Sequence, residues 1–147
     1  SACEPVDRTP GMWLSGELVT AEITDWTFSN EQREVFLQTH PWYGIPFSIT
    51  VVAATTGDRL FMPSIYSEPA AFPEGKYWNR IVAKNPEVLI RIGGKLYPRS
   101  VHLIVDEDEF EEAFSALASK YDYWRAVKEG EVERPPFVLL RLDPSEK

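Results

Sequence analysis

Residues 78–97 read Trp78-Asn79-Arg80-Ile81-Val82-Ala83-Lys84-Asn85-Pro86-Glu87-Val88-Leu89-Ile90-Arg91-Ile92-Gly93-Gly94-Lys95-Leu96-Tyr97. A short helix stops at Asn85-Pro86, because the ring of a proline disfavours helical backbone in the residue before it. An apolar strand follows, then a Gly93-Gly94 turn and a second strand, which together predict a β-hairpin. The same region concentrates charge. Residues 76–99 hold Lys76, Arg80, Lys84, Arg91, Lys95 and Arg99 against one acid, Glu87, a local +5 in a chain of net charge −8. A cation cluster in an acidic protein is the footprint of a site for an anionic ligand.

With 147 residues, 44% of them hydrophobic and 26% charged, the chain is long enough for one domain with a core and short for two. Its acidic balance argues against nucleic acid, whose phosphates call for a net basic surface. No run approaches the ~18 apolar residues of a membrane span.

The single cysteine, Cys3, rules out an intrachain disulfide and a Cys-based metal site. Ser1-Ala2-Cys3, small residues directly before a Cys, resembles the end of a bacterial lipoprotein signal, and the polar run from Glu4 to Gly11 suits a tether. The expectation is a tether over residues 1–11, lipidation and membrane anchoring at Cys3, and a cell-envelope address. The plainer account is an ordinary surface Cys beside a cloning remnant, with the protein in the cytoplasm.

Residues 12–147 are predicted to form a single domain. Met12 to Thr20 reads as a first strand, Asp25 to Phe28 as an aromatic turn, and Glu34 to Thr39 as a strand. His40-Pro41-Trp42-Tyr43-Gly44-Ile45-Pro46 is a loop, followed by an apolar strand from Phe47 to Ala54. Thr56-Gly57-Asp58 is expected to turn that strand into a hairpin with Arg59 to Pro63. Ser64 to Gly75 is a long irregular connection, of a length that tends to carry function. Lys76 to Lys84 is the short helix.

Asp106 to Lys120 is the long helix, with Phe110, Ala113, Phe114, Leu117, Ala118 and Tyr121 on one apolar stripe. Asp106 and Glu109 form a capping pair, so the surrounding acids have a structural role and need no metal. The last strand is Phe137 to Leu142.

Familiar catalytic signatures are absent. His40 and His102 show no metal-ligand spacing, and no G-x-S-x-G, G-x-G-x-x-G or Walker sequence occurs. Lys76, Arg80 and Lys84 recur every four residues and share one helix face. A solvated basic face is the plainer account of them. The sharper one is that Lys76 and Arg80 grip a phosphate or carboxylate entering from the 64–75 connection.

Gly57-Asp58-Arg59-Leu60-Phe61, Trp78, Asn85-Pro86-Glu87-Val88, Gly93-Gly94-Lys95-Leu96-Tyr97, the Glu-rich helix ending at Tyr121, and Pro136-Phe137-Val138-Leu139-Leu140 keep one order across residues 45–144. In that order they resemble the split-barrel flavin-reductase-like group, closest to its deazaflavin-dependent nitroreductase branch, relatives of the pyridoxamine-phosphate-oxidase fold. The resemblance implies a mainly β (α+β), antiparallel split β-barrel with one long and one short helix. It also implies an FMN or deazaflavin cofactor, and such barrels often pair as homodimers.

One departure stands out. The branch carries a Gly-Arg-Lys-Ser-Gly type loop that holds the cofactor's phosphate, and the corresponding residues 40–48 contain no Arg or Lys. A charge-assisted hydrogen bond to a phosphate is worth ~1.5–3 kcal/mol, and no cationic side chain in this stretch can make one.

Two functions follow. The first is a flavin- or deazaflavin-dependent oxidoreductase, in which Ser64 and Tyr66 edge the ring, Trp78 packs near it, and Lys76 with Arg80 hold the anionic tail for hydride transfer to a small organic substrate. The second is a lipid-anchored binding module for a small anionic or aromatic ligand, with the same barrel and no cofactor.

Overall fold

Alternating apolar positions along β-rich segments build most of this structure, a computed structural model that describes residues 9–66, 72–74 and 76–145. Cys3 and most of the expected tether lie outside the described residues, as do residues 67–71 and 75 of the long connection. Eight strands form one sheet: β1 (Glu17–Leu18), β2 (Val35–Thr39), β3 (Phe47–Val51), β4 (Ala54–Thr55), β5 (Leu60–Ile65), β6 (Glu87–Ile92), β7 (Lys95–Leu103) and β8 (Phe137–Pro144). The sheet runs β3-β2-β6-β7-β8-β5-β4, antiparallel throughout, while β1 adds to β7 in parallel. The two ends of that path do not pair, which leaves the barrel split.

Three α-helices accompany the sheet: α1 (Tyr77–Lys84), α2 (Glu107–Lys120) and α3 (Asp122–Glu129). A 3₁₀ helix spans Thr27–Glu31. No helix among the described residues is long and apolar enough to cross a membrane.

Strands buried on both faces divide the core in two. Along β5, Leu60 and Met62 enter a cluster inside the barrel with Trp26, Leu37, Trp78 and Ile90, while Phe61 between them points to the other side. Along β8, Leu140 and Leu142 face inward, and Phe137 and Leu139 join the second cluster beneath α2 and α3. That two-sided burial explains the unbroken apolar run from Phe137 to Leu140.

The predicted hairpin about Gly93-Gly94 is present, with Ile92 opposite Lys95. The expected α2 is present too, and Asp106 Oδ2 accepts the Glu109 amide at 2.9 Å. Other expectations are corrected. The first strand shrinks to Glu17–Leu18, since Gly16 passes so close to the β6–β7 turn that a Cβ there would meet the Gly94 carbonyl oxygen at 2.5 Å. Phe47–Val51 pairs with β2 across the 40–46 loop, and only Ala54–Thr55 pairs with β5 about Gly57.

A third helix, α3, adds to the one long and one short helix expected. It buries Trp124 and Val127 and ends at Gly130, whose φ of +76° is the left-handed closure glycine accommodates.

Polar contacts tie α2 to the sheet. Glu109 accepts from Arg59 Nη1 at 3.1 Å and from Arg141 Nη1 at 2.6 Å, and Glu112, expected in solvent, is half-buried and also pairs with Arg59. Lys120 Nζ donates to the Ser29 and Ala53 carbonyls at 2.8 and 2.7 Å. Burial, with the nearby Arg33 guanidinium, pushes the Lys120 ammonium down to about 8.

Glu109→Gln is expected to cost ~1–2 kcal/mol, because it strips a poorly exposed carboxylate from two guanidinium groups. Glu111→Gln, whose partner Lys128 reaches it across solvent, is expected near zero. Urea denaturation of both variants checks the contrast.

Candidate functional site

The turn between β2 and β3 stands beside α1. Pro41 and Gly44 shape it, and the Gly44 amide donates to the Pro41 carbonyl at 3.2 Å. Asn85 just past α1 holds it from below, its Nδ2 donating to the His40 carbonyl at 3.2 Å. From above, the Tyr43 and Tyr77 hydroxyls meet at 2.5 Å, and Phe47 packs edge-on to Tyr77 with ring centroids 4.9 Å apart. The hydrogen bond with Tyr77 holds the Tyr43 phenol above its usual range.

Between helix and turn lies a groove of about 460 Å³, walled by Trp42, Tyr43 and Tyr77 and edged by Arg80 and Lys84. The remaining lining among the described residues is His40, Pro41, Ile81 and Asn85, none of them a carboxylate. Its volume falls in the usual range for small-molecule sites. Arg80 stacks its guanidinium 5.6 Å from the Tyr77 centroid and donates from Nη1 to the Glu74 carbonyl at 2.8 Å. Trp42 is 91% exposed.

The helix sorts the residues singled out in the sequence. Tyr77, Arg80, Ile81 and Lys84 line the groove, whereas Trp78 and Val82 enter the barrel core. Arg80 and Trp78 therefore occupy opposite faces of α1. Lys76 sits half-buried at the N-terminal boundary of the helix, and burial lowers its ammonium from the usual value. Ser64 is buried on β5 and donates to Asn79 Oδ1 at 2.8 Å, and Asn79 Nδ2 has no hydrogen-bond partner among the described residues. Tyr66 is half-buried just past β5, its amide bonded to the Pro136 carbonyl at 3.0 Å.

Tyr77, Lys84 and Asn85 were not singled out as ligand-binding residues by the sequence reading. The i, i+3, i+7 spacing of Tyr77, Arg80 and Lys84 was the available signal. His102, which shows no metal-ligand spacing in sequence, bonds Ser100 Oγ at 3.1 Å. Among the described residues no three His, Cys, Asp or Glu side chains gather as a metal donor set.

A flavin or deazaflavin presents a flat ring and an anionic tail. The groove's donor set fits that chemistry: aromatic walls, phenol hydroxyls, and two cations unopposed by an acid among the described lining residues.

The sequence matches no protein-family model and no curated protein. Solved structures do match. An F420-H2-dependent reductase is 16% identical with a TM-score of 0.53, over 76% of this chain and 95% of that one. A FAD-binding protein from Mesorhizobium loti is 16% identical with a TM-score of 0.55, over 82% and 86%. A pyridoxamine 5'-phosphate oxidase-related, FMN-binding protein from Nostoc punctiforme is 16% identical with a TM-score of 0.52, over 80% and 76%. The likeness is one of fold, and it identifies the chain as a split β-barrel of the pyridoxamine-phosphate-oxidase type.

Proposed function

We propose that this chain binds a flavin or deazaflavin in the groove between α1 and the β2–β3 turn and serves hydride transfer to a small organic substrate. The observation that carries the reading is the pairing of aromatic walls with Arg80 and Lys84 in one groove whose described lining holds no acid. Similarity in fold to FMN-, FAD- and F420-named proteins supports it.

Such a cofactor, when bound, supplies the hydride chemistry. The chain's own part is placement. Arg80 and Lys84 hold the anionic tail, compensating for the cations missing from residues 40–48. Trp42 and Tyr43 cover the ring from the turn, and the Tyr43–Tyr77 hydrogen bond fixes the distance between turn and helix. Trp78, in the barrel core, and buried Ser64, bonded to Asn79, back α1 from the side away from the groove.

A second reading, a binding module without redox chemistry, draws on the exposure of Trp42 and the lack of cations in the turn. It would suit an envelope protein anchored through Cys3. Titration with FMN and with a deazaflavin, followed by fluorescence, separates the two. Saturable binding in the micromolar range is the expected result. No binding of either at high micromolar concentration would remove the cofactor reading and leave the binding module.

A further inference from the structure

Arg99 occupies a place where a charge is out of keeping. Along β7 the alternation that sends Tyr97 and Val101 into the barrel core sends Arg99 there as well, and it is only 8% exposed. Its Nε and Nη2 both donate to the Leu142 carbonyl, at 3.1 and 2.7 Å. Its guanidinium lies 4.9 Å from the Trp26 ring centroid. Among the described residues no carboxylate comes within ion-pair distance of it. The nearest candidate, Asp143, is held by Arg141 Nε at 2.7 and 2.9 Å.

Buried cations are ordinarily paired, because taking a lone charge out of water is costly. Burial accordingly pushes the Arg99 guanidinium below its usual value, with Asp143 pulling the other way.

Arg99 borders a cavity of about 810 Å³, separate from the α1 groove and on the side of the barrel covered by residues 19–26. Val19 and Ile23 give it apolar walls, with the buried Trp26, Tyr97 and Leu142 behind them. Trp26 also carries a buried indole Nε1 with no hydrogen-bond partner among the described residues. A buried cation short of a counter-charge and an orphaned donor therefore belong to residues that line one space. Arg59, the other cation on its lining, is already paired with Glu109 and Glu112. Glu22, Asp58 and Asp143 also line the space and limit how much negative charge it tolerates.

We propose that this cavity is a second binding site, for a singly charged carboxylate carried on an apolar body, with Arg99 pairing the carboxylate and Val19 and Ile23 packing the body. A dianion is disfavoured by the three acids. The site is independent of the flavin reading and stands without it.

Benzoate and inorganic phosphate are the probes, followed by melting temperature and by the indole N–H signals of ¹⁵N-labelled protein, with Trp26 assigned through Trp26→Phe. Benzoate is expected to raise the melting temperature by ~3 °C or more at saturation and to move the Trp26 indole signal. Arg99→Met keeps the shape, relieves the buried charge and folds, and is expected to weaken benzoate at least tenfold. Arg99→Lys retains part of the affinity. Arg80→Ala with Lys84→Ala leaves benzoate binding unchanged, which separates this site from the groove.

The proposal is overturned if Arg99→Met binds benzoate as well as the native chain. It is equally overturned if phosphate binds more tightly than benzoate, or if benzoate on the order of 10 mM moves neither signal.

Discussion

Phe114→Ala is expected to lower the free energy of unfolding by ~3–5 kcal/mol, the range for removing a fully buried aromatic ring. Phe114 is 2% exposed at the centre of the second core. Phe137, Trp124 and Phe110 surround it with centroids at 5.4, 6.2 and 6.1 Å. Lys128 and Arg134 cover its ring from outside, at 4.7 and 5.3 Å. The truncation leaves a cavity where α2, α3 and β8 meet, and three aromatic neighbours cannot all collapse into it. A fall in melting temperature of roughly 10 °C is the matching thermal readout. Ser115→Ala, one residue on and exposed, is the control expected to change little. A loss below ~1 kcal/mol in Phe114→Ala would mean that α2 does not pack on the sheet as described.

Arg80→Ala combined with Lys84→Ala is expected to weaken FMN binding at least tenfold. A charge-assisted hydrogen bond contributes ~1.5–3 kcal/mol, and ~1.4 kcal/mol already makes a factor of ten. Both side chains are exposed on α1, so the folded state should survive, and an unchanged melting curve verifies that. The groove is open to solvent, so added salt should weaken native binding and do so less in the double variant. Unchanged affinity in the double variant would show that the anionic tail is held elsewhere. Lys76, half-buried and desolvated at the head of α1, would then be the next cation to replace.

Much of this architecture can be read from local signals. Asn85-Pro86 and Gly93-Gly94 bracket β6 because both dipeptides constrain backbone on their own, without help from the rest of the chain. The α2 stripe and the Asp106 cap are equally local. What could not be read depends on distant partners. Phe47–Val51 is apolar and is soon followed by Gly57, so a hairpin with β5 is the local inference. The chain instead breaks at Val52–Ala53, and the 40–46 loop becomes the tip of the β2–β3 hairpin. α3 escaped notice because its eight residues bury only Trp124 and Val127, too few for a period to stand out.

The site divides in the same way. Spacing placed Lys76, Arg80 and Lys84 on one helix face, but only tertiary structure shows that Arg80 and Lys84 meet Trp42 and Tyr43 while Trp78 turns into the core. Arg99 stands out in sequence only as one cation among six, and its core-facing register emerges from the β6–β7 and β7–β8 pairings.

A difference electron-density map from crystals of the native chain soaked in FMN tests the central claim most directly. The predicted result is a ring against Tyr43 and Tyr77 with its phosphate in reach of Arg80 and Lys84. Ring density outside the α1 groove, or an empty groove at a soak concentration well above the solution Kd, would contradict it.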